Sequence, residues 1–122
     1  MEKILYDKKG EPVAYMATDH HGAIYLWDGQ PVAYLYEEDH LYGINGRHLG
    51  WFIDEIVYDQ EGARIGFTSS SCPSAVGKRR PKGKRSVLPE IRPRWAAPPL
   101  PKLTFREAGR NLADFLNEGR VS

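Results

Sequence analysis

The stretch Gly10–Tyr15 reads GEPVAY, and a second stretch, Gly29–Tyr34, reads GQPVAY. Aligning the chain on these glycines reveals two further copies, Gly46–Trp51 (GRHLGW) and Gly62–Phe67 (GARIGF). The template is glycine, any residue, a variable position, an aliphatic residue, alanine or glycine, and an aromatic residue. An aliphatic residue and a tyrosine also precede each glycine at a constant distance: Leu5-Tyr6, Ile24-Tyr25, Leu41-Tyr42 and Val57-Tyr58. Such self-similarity indicates a fold built from four copies of one supersecondary unit.

Each copy carries the turn residues of a β-hairpin. The dipeptides Asp-Gly at 28–29 and Asn-Gly at 45–46 supply positive φ angles, so they predict two-residue type I′ turns. The segments 7–10 and 59–62 instead predict a type I turn closed by a left-handed glycine. All four copies are therefore expected to be hairpins, with two kinds of turn.

The runs that flank the turns alternate like strands with one buried face. In the first copy Val13 and Tyr15 are expected on one side, and the small Ala14 on the other, where a close neighbour excludes anything larger. Short polar links between the copies reverse the chain again, and closure of the resulting meander hides both sheet edges. We therefore predict an all-β body, a small closed or nearly closed eight-strand antiparallel meander barrel of four pseudo-fourfold hairpin repeats. A β-propeller is disfavoured because its blades need roughly 40 residues, whereas these copies recur every 16 to 19.

The net charge of +1 over 122 residues hides a strong asymmetry. Residues 1–68, the predicted barrel domain, contain five Lys/Arg and twelve Asp/Glu, a net charge of −7. Residues 69–102 contain nine Lys/Arg against Glu90, a net charge of +8, together with repeated prolines. A segment with like charges, low hydrophobicity and many prolines buries too little apolar surface to offset the conformational entropy lost on ordering. We therefore expect an extended or disordered basic Pro-rich linker without a regular short repeat.

Residues 103–122 are expected to form one C-terminal amphipathic helix. Thr104 and Glu107 have the spacing of a capping box, and apolar residues follow at helical spacing. A helix of about fourteen residues is marginal alone in water. We therefore expect it to dock on the barrel of the same chain or of a sister chain, the latter giving a homo-oligomer.

The motif GRHLGWF at 46–52, the repeated GxPVAY and the Asp-Gly and Asn-Gly turns resemble the bacterial four-fold β-flower domain family. The resemblance covers about residues 2–68 and implies a shallow symmetric barrel of four hairpin petals, often followed by a Lys/Arg/Pro-rich tail. It implies no particular activity. The barrel is similar in outline to tubby-like C-terminal domains, which suggests lipid contact. The Tyr-Asp pairs at 6–7 and 58–59 also resemble the YD repeats of large Rhs-type shells, which need many tandem copies.

The template breaks at one place that favours a ligand site. Its third position is proline in the first two copies but His48 and Arg64 in the others. Repeated aromatic residues with polar tips can line a pocket. The candidate ligand-binding residues are Tyr25, Tyr42, Arg47, His48 and Trp51. The alternative is that the aromatic residues are only the core and rim of the barrel, and that the hairpins merely pair differently at their edges.

Six basic residues form a candidate contact for anionic lipid or nucleic acid: Lys78, Arg79, Arg80, Lys82, Lys84 and Arg85. The alternative is a solvated tail attracted to its own acidic barrel. His20, His21 and His40 lie near acidic residues, which raises the idea of a zinc site or a metal-assisted enzyme. The spacings typical of zinc enzymes are missing, so we expect polar turn residues, no metal and no cofactor.

The residues present favour a binding function over catalysis. The chain has no nucleophile paired with a base, no phosphate loop and no dinucleotide fingerprint, so we do not expect an enzyme. An apolar run of about 18 residues and a secretory signal are also missing, and we expect a cytoplasmic protein. The sequence therefore predicts a non-catalytic binding or protein-interaction module for an unknown protein or small ligand. The alternatives are a peripheral membrane or lipid-binding protein of tubby-like type and a tail-mediated nucleic-acid contact.

Overall fold

The computed structural model describes residues 2–17, 22–77 and 81–121. Its elements are β1 (Glu2–Tyr6), β2 (Pro12–Ala17), β3 (Ala23–Leu26), β4 (Pro31–Tyr36), β5 (His40–Gly43), β6 (His48–Ile53), β7 (Ile56–Tyr58), β8 (Arg64–Phe67) and α1 (Leu112–Asn117). The strands form one closed barrel in sequence order. Consecutive strands pair antiparallel, and β8 pairs with β1. The predicted eight-strand meander barrel is therefore confirmed. We number the hairpins 1 to 4, from β1–β2 to β7–β8.

Neighbouring hairpins meet at four seams, each marked by a pair of aromatic residues in direct register. The pairs are Tyr15–Tyr25, Tyr34–Tyr42, Trp51–Tyr58 and, where the barrel closes, Phe67–Tyr6. Each pair combines the tyrosine of one repeat with the final aromatic residue of another. The predicted equivalence of the four tyrosines is therefore confirmed.

Each hairpin contains a β-bulge at the same place in the template. In hairpin 1, Leu5 pairs with Ala14 and Tyr6 pairs with Pro12, which leaves Val13 without a partner on β1. The same offset recurs in the other hairpins. The four residues at this position pack in or against the interior cluster: Val13, Val32, Leu49 and Ile65. The expected placing of Val13 on the face of the following aromatic residue is wrong, because the bulge interrupts the strict alternation.

The turns inside the hairpins share one geometry. The N–H of each turn glycine donates to the carbonyl three residues earlier, as from Gly29 to Leu26 at 2.8 Å. All four glycines have φ between 81° and 98°, which is a type I turn closed by a left-handed glycine. The prediction for hairpins 1 and 4 is confirmed, and the type I′ prediction for hairpins 2 and 3 is wrong. Consecutive positive φ angles occur instead in the turns between hairpins, at Glu37–Glu38 and Asp54–Glu55.

The barrel interior is one apolar cluster to which all four hairpins contribute. The aliphatic residue before each template tyrosine lies in it, fully buried: Leu5, Ile24, Leu41 and Val57. Helix α1 closes the cluster with Leu112, Phe115 and Leu116. A Cβ at Gly50 would crowd the Phe115 ring, so the small template position faces a close neighbour as predicted. The helix docks on the barrel of its own chain and packs its apolar face against the interior cluster, while Asp114 and Asn117 stay exposed.

Helix α1 is shorter than predicted and begins later. Its six residues start after Asn111, whose Oδ1 accepts a hydrogen bond from the Asp114 N–H at 2.7 Å. Thr104 caps no helix, because its hydroxyl donates to the carbonyl of Gly62 at 3.2 Å. Glu107 forms a parallel bridge with Arg64 on β8. The capping-box prediction is wrong because backbone pairing with the barrel holds these residues in an extended conformation.

The segment between the barrel and the helix, residues 72–108, is here called the strap. It follows the end of the barrel that carries the hairpin turns, here called the turn end; residues 78–80 lie outside the described part. Each turn glycine accepts one strap N–H through its carbonyl, at 2.8 to 3.0 Å. The donors are the N–H groups of Gly77, Ser86, Trp95 and Thr104. Successive donors are nine residues apart, so the strap contacts the barrel with a regular pitch. The amino-acid sequence of the strap shows no matching nine-residue repeat.

The close approach of the strap adds a second requirement for glycine at the turns. A Cβ at Gly46 would overlap the carbonyl oxygen of Pro93, and one at Gly62 would overlap that of Lys102. The same clash recurs with the strap at Gly10 and Gly29. Positive φ and backbone contact therefore both exclude a side chain.

Candidate functional site

Neighbouring hairpins are separated by a gap at the turn end of the barrel. The side chain two positions before each turn glycine determines how completely the gap to the preceding hairpin is filled. Trp27 fills its gap by packing edge-on against Tyr15, with ring centroids 6.0 Å apart. Ile44 fills the next gap and is fully buried. Gln60 holds the same position in hairpin 4 and leaves an open cleft of about 310 Å³, here called the cleft.

The cleft lies between hairpins 3 and 4, with the strap and α1 as its other walls. Its principal lining residues are Arg47, His48, Gln60, Trp95, Arg110 and Phe115. A smaller cavity of about 180 Å³ occupies the following gap, where Lys8 and Arg64 form part of the lining and Arg110 borders both spaces. The departures from the template thus coincide with the places where the symmetric packing stays open.

His48 forms the buried polar wall of the cleft, and its hydrogen bonds define its tautomer. The Gln60 amide nitrogen donates to the backbone carbonyl of His48 and lies 3.1 Å from its Nδ1. An amide nitrogen only donates, so Nδ1 accepts. The Nε2–H of His48 then donates to Nδ1 of His40, at 3.1 Å. The His48 imidazole is neutral in this arrangement.

The surroundings of His48 hold it in that neutral form. Burial lowers its pKa to about 4, and the neighbouring His40 contributes to the same shift. Its side chain is 6% exposed. The imidazole is therefore an uncharged structural element of the cleft wall near neutral pH.

Of the five predicted ligand residues, Arg47 and His48 line the cleft, and Tyr42 and Trp51 pack against His48. The rings of Tyr42 and Trp51 lie 4.9 Å and 4.8 Å from the His48 ring, both edge-on. Arg47 lines the cleft beside them. The fifth, Tyr25, lies elsewhere: it stacks on Tyr15 at the first seam, at 5.6 Å.

The cleft contains charges of both signs that are unequally engaged. Arg110 pairs with Glu118. The Asp59 carboxylate accepts two N–H groups of its own turn, from Glu61 and Ala63. Arg47 is exposed, and its side chain takes part in no ion pair within the described residues. It is therefore the cation best placed to meet an incoming anion.

Several cleft residues have no counterpart in the sequence-based prediction. Trp95 belongs to the strap, with its carbonyl accepting from the Tyr42 hydroxyl at 2.9 Å, and its side chain is 61% exposed. Phe115 and Arg110 come from the C-terminal region. Gln60 carried a usable signal, because it stands where the second and third repeats have Trp27 and Ile44. The others are brought in by the strap and helix, which no repeat predicts.

The predicted anion-contact residues divide into three groups. Lys82 and Arg85 both pair with Glu2, and Arg85 also lies over the Tyr25 ring at 4.9 Å. Lys84 is exposed. Lys78, Arg79 and Arg80 lie outside the described residues. The contacts with Glu2 match the alternative in which the tail is attracted to the barrel.

Within residues 2–17, 22–77 and 81–121, no group of three or more His, Cys, Asp or Glu side chains is arranged to hold a metal ion. His40 bonds to His48, as described above. His20 and His21 lie outside the described residues.

Comparison with known proteins identified one family. A family model described as "4-fold beta flower protein" matches residues 3–116, a range that includes the strap and most of α1. Neither the curated proteins nor the solved structures yielded a match. Across the described residues, no helix is long and apolar enough to span a lipid bilayer.

Proposed function

The chain belongs to the 4-fold β-flower protein family, and we propose that it is a non-catalytic binding module whose ligand site is the cleft beside His48. One observation carries the proposal. Trp27 fills the gap between hairpins 1 and 2, and Ile44 fills the gap between hairpins 2 and 3. Gln60, at the equivalent position, leaves the gap between hairpins 3 and 4 open. Concave sites of this size take small ligands.

The lining favours a small ligand with a flat apolar body and one carboxylate. Arg47 offers a planar guanidinium that suits bidentate contact with a carboxylate. The exposed indole of Trp95 and the ring of Phe115 offer apolar contact nearby. A cleft of about 310 Å³ has room for a single-ring compound or for the terminal residue of a peptide.

The engaged state of His48 supports binding rather than proton transfer. Both of its ring nitrogens have hydrogen-bond partners, His40 and Gln60. A general base needs a free, basic nitrogen at the reacting proton. We therefore assign His48 the role of shaping the cleft wall.

Titration of the ¹⁵N-labelled protein with benzoate tests the proposal, with benzamide as the uncharged match. Benzoate is expected to bind with a Kd of about a millimolar, as befits so small a ligand. The perturbed amides should cluster at residues 47–49, at Gln60 and at the Trp95 indole. Benzamide should perturb the same signals less, because it lacks the charge that Arg47 meets.

Two variants separate specific contact from general charge effects. Arg47→Gln should weaken benzoate binding about tenfold, since a charge-assisted hydrogen bond is lost. Arg92→Gln, an exposed strap residue outside the cleft lining, should leave it unchanged. Perturbations scattered over the surface, or equal effects of the two variants, would refute the cleft as the ligand site.

A further inference from the structure

The two ends of the barrel differ in charge, a difference that the overall net charge conceals. In a meander barrel, the turns inside hairpins and the turns between hairpins lie at opposite ends. Two of the turns between hairpins consist entirely of acidic residues, at 37–39 and 54–55. At the turn end, strap residues 81–107 contain seven Lys/Arg against Glu90 and Glu107, a net charge of +5, and the hairpin turns themselves contain three Lys/Arg and five Asp/Glu. The protein is therefore electrically polar along the barrel axis.

The same strap carries an unusual amount of exposed apolar surface. Val87 and Phe105 are 91% and 86% exposed, and Leu100 is 54% exposed. Ile91 and Trp95 are also among the exposed large apolar residues. Exposed apolar side chains concentrated in one segment mark an interaction surface, whereas scattered single ones need no explanation.

The strap backbone is rich in proline and is anchored to the barrel at regular points. Five of the residues between 88 and 102 are prolines, which have no N–H to leave unsatisfied. Of the ten other residues in this stretch, Arg92 and Trp95 donate their N–H groups to barrel carbonyls. The anchors also hold the strap in place before it meets a partner, which lowers the ordering cost of binding.

We propose that the strap docks the turn end of the barrel onto an anionic lipid surface. Val87, Leu100 and Phe105 enter the headgroup region, and the strap Lys and Arg side chains contact lipid phosphates. The acidic turns at 37–39 and 54–55 then face away from the membrane, and at the approaching end the strap's net charge of +5 exceeds the net charge of −2 on the hairpin turns. Lys82 and Arg85 pair with Glu2, so most of the attraction falls to cations further along the strap, such as Arg92 and Lys102.

Lipid fits the exposed side chains better than nucleic acid does. Binding to single-stranded nucleic acid uses free aromatic faces on which bases stack. Two of the most exposed apolar residues, Val87 and Leu100, are aliphatic. One face of Phe105 is covered by the Arg64 guanidinium, 4.4 Å from the ring centroid. Aliphatic side chains gain from a lipid interface and little from bases.

Sedimentation of the full chain with vesicles tests this proposal. Phosphatidylcholine vesicles with about a third phosphatidylglycerol should bind the protein, and pure phosphatidylcholine should bind it at least tenfold more weakly. The double variant Val87→Ser/Phe105→Ser should reduce binding to the anionic vesicles about tenfold or more, since two apolar side chains are lost. Arg92→Gln/Lys102→Gln should reduce it about 25-fold at low salt, at about 1 kcal/mol for each charge.

Controls keep the outcome independent of the cleft. Lys3→Gln, a charge change on β1 outside the strap, should leave vesicle binding within about twofold of wild type. None of the four substituted strap residues lines the cleft, so benzoate binding should survive in both double variants. The proposal would be overturned if the protein failed to bind anionic vesicles, or if the double variant Val87→Ser/Phe105→Ser bound them as tightly as the wild type. Binding to a single-stranded oligonucleotide in place of vesicles would overturn it in favour of nucleic acid.

Discussion

The Gly46→Ala substitution is the sharpest test of how the strap and barrel hold each other. Gly46 has φ +93°, a conformation that costs a residue with a Cβ about 1–2 kcal/mol. The new Cβ would also overlap the Pro93 carbonyl oxygen, so the strap must retreat. The hydrogen bond from the Trp95 N–H to the Gly46 carbonyl is then lost, at about 0.5–1.5 kcal/mol. The expected loss in the free energy of unfolding is about 2–3 kcal/mol.

Urea unfolding followed by circular dichroism measures this loss, and thermal unfolding should show a Tm lower by about 10 °C. The matched control is Gly109→Ala, because Gly109 has no positive φ and no atom near its notional Cβ. That change should alter stability by less than about 0.5 kcal/mol. Hydrogen exchange adds a local readout, since the Trp95 amide should lose protection in Gly46→Ala alone.

Equal stabilities of the two variants would refute the reasoning. It would mean that the strap does not approach the turn closely enough for a Cβ to matter. A large loss in Gly46→Ala with full protection of the Trp95 amide would also count against it. The cost would then arise in the turn alone, without displacement of the strap.

Three further predictions test the helix, the buried histidine and the pitch of the strap. Phe115→Ala should destabilise the fold by about 3–5 kcal/mol because the ring is buried in the barrel interior. Phe105→Ala should cost less than about 1 kcal/mol because its ring is exposed. Similar losses of the two variants on urea unfolding would contradict the position of α1. The pKa of His48 is about 4 in the folded protein, and its ordinary value is 6.5. As the pH falls, the unfolded chain therefore takes up the proton before the folded protein does. The free energy of unfolding should decrease by about 3 kcal/mol between about pH 6.5 and about pH 4. His48→Gln should lack this part of the decline in urea unfolding between about pH 7 and pH 4.5, and an unchanged decline would show that the imidazole is not buried in neutral form. Deletion of Ala97 should break the nine-residue pitch and expose the Thr104 amide to hydrogen exchange. The control Ala97→Gly should leave that amide protected. Protection of the Thr104 amide in the deletion variant would mean that the pitch is not required.

The predictable part of the candidate site came from broken symmetry. Arg47 and His48 stand where the first two repeats have other residues, and Tyr42 and Trp51 follow from the same alignment. Arg47 and His48 line the cleft, and Tyr42 and Trp51 pack against the His48 ring without lining it. Tyr25 was grouped with them because the repeats make the tyrosines equivalent. Equivalence under fourfold symmetry places residues in different quarter-turns, so it cannot by itself bring them together.

The missing part of the site comes from segments that the repeats do not describe. Trp95 reaches the cleft because its N–H is bonded to the turn of hairpin 3. Phe115 reaches it because the apolar face of α1 packs against the interior cluster. Both placements depend on contacts between residues far apart in sequence, and the strap contacts use backbone groups that every non-proline residue has. Side-chain identity therefore gives little sign of them.

Local backbone details also depended on tertiary context. Asp-Gly at 28–29 and Asn-Gly at 45–46 favour type I′ turns in isolated hairpins. In the barrel all four hairpins adopt the same bulged geometry, with the glycine left-handed and its carbonyl bound to the strap. Consecutive positive φ angles occur instead at acidic residues between hairpins, at 37–38 and 54–55. A contact with another part of the chain outweighs a local preference of the order of 1 kcal/mol.

The amino-acid sequence by itself determined the number of hairpins, their order and the aromatic seams, because repetition and turn chemistry are local properties that survive without knowledge of the rest of the chain. The tertiary structure alone decided what surrounds the barrel. It brings residues 104–108 to β8 in extended form, sets a nine-residue pitch through backbone hydrogen bonds, and covers the interior cluster with the apolar face of a short helix. Those features arise from the shape of the closed barrel, which exists only once all four hairpins have met.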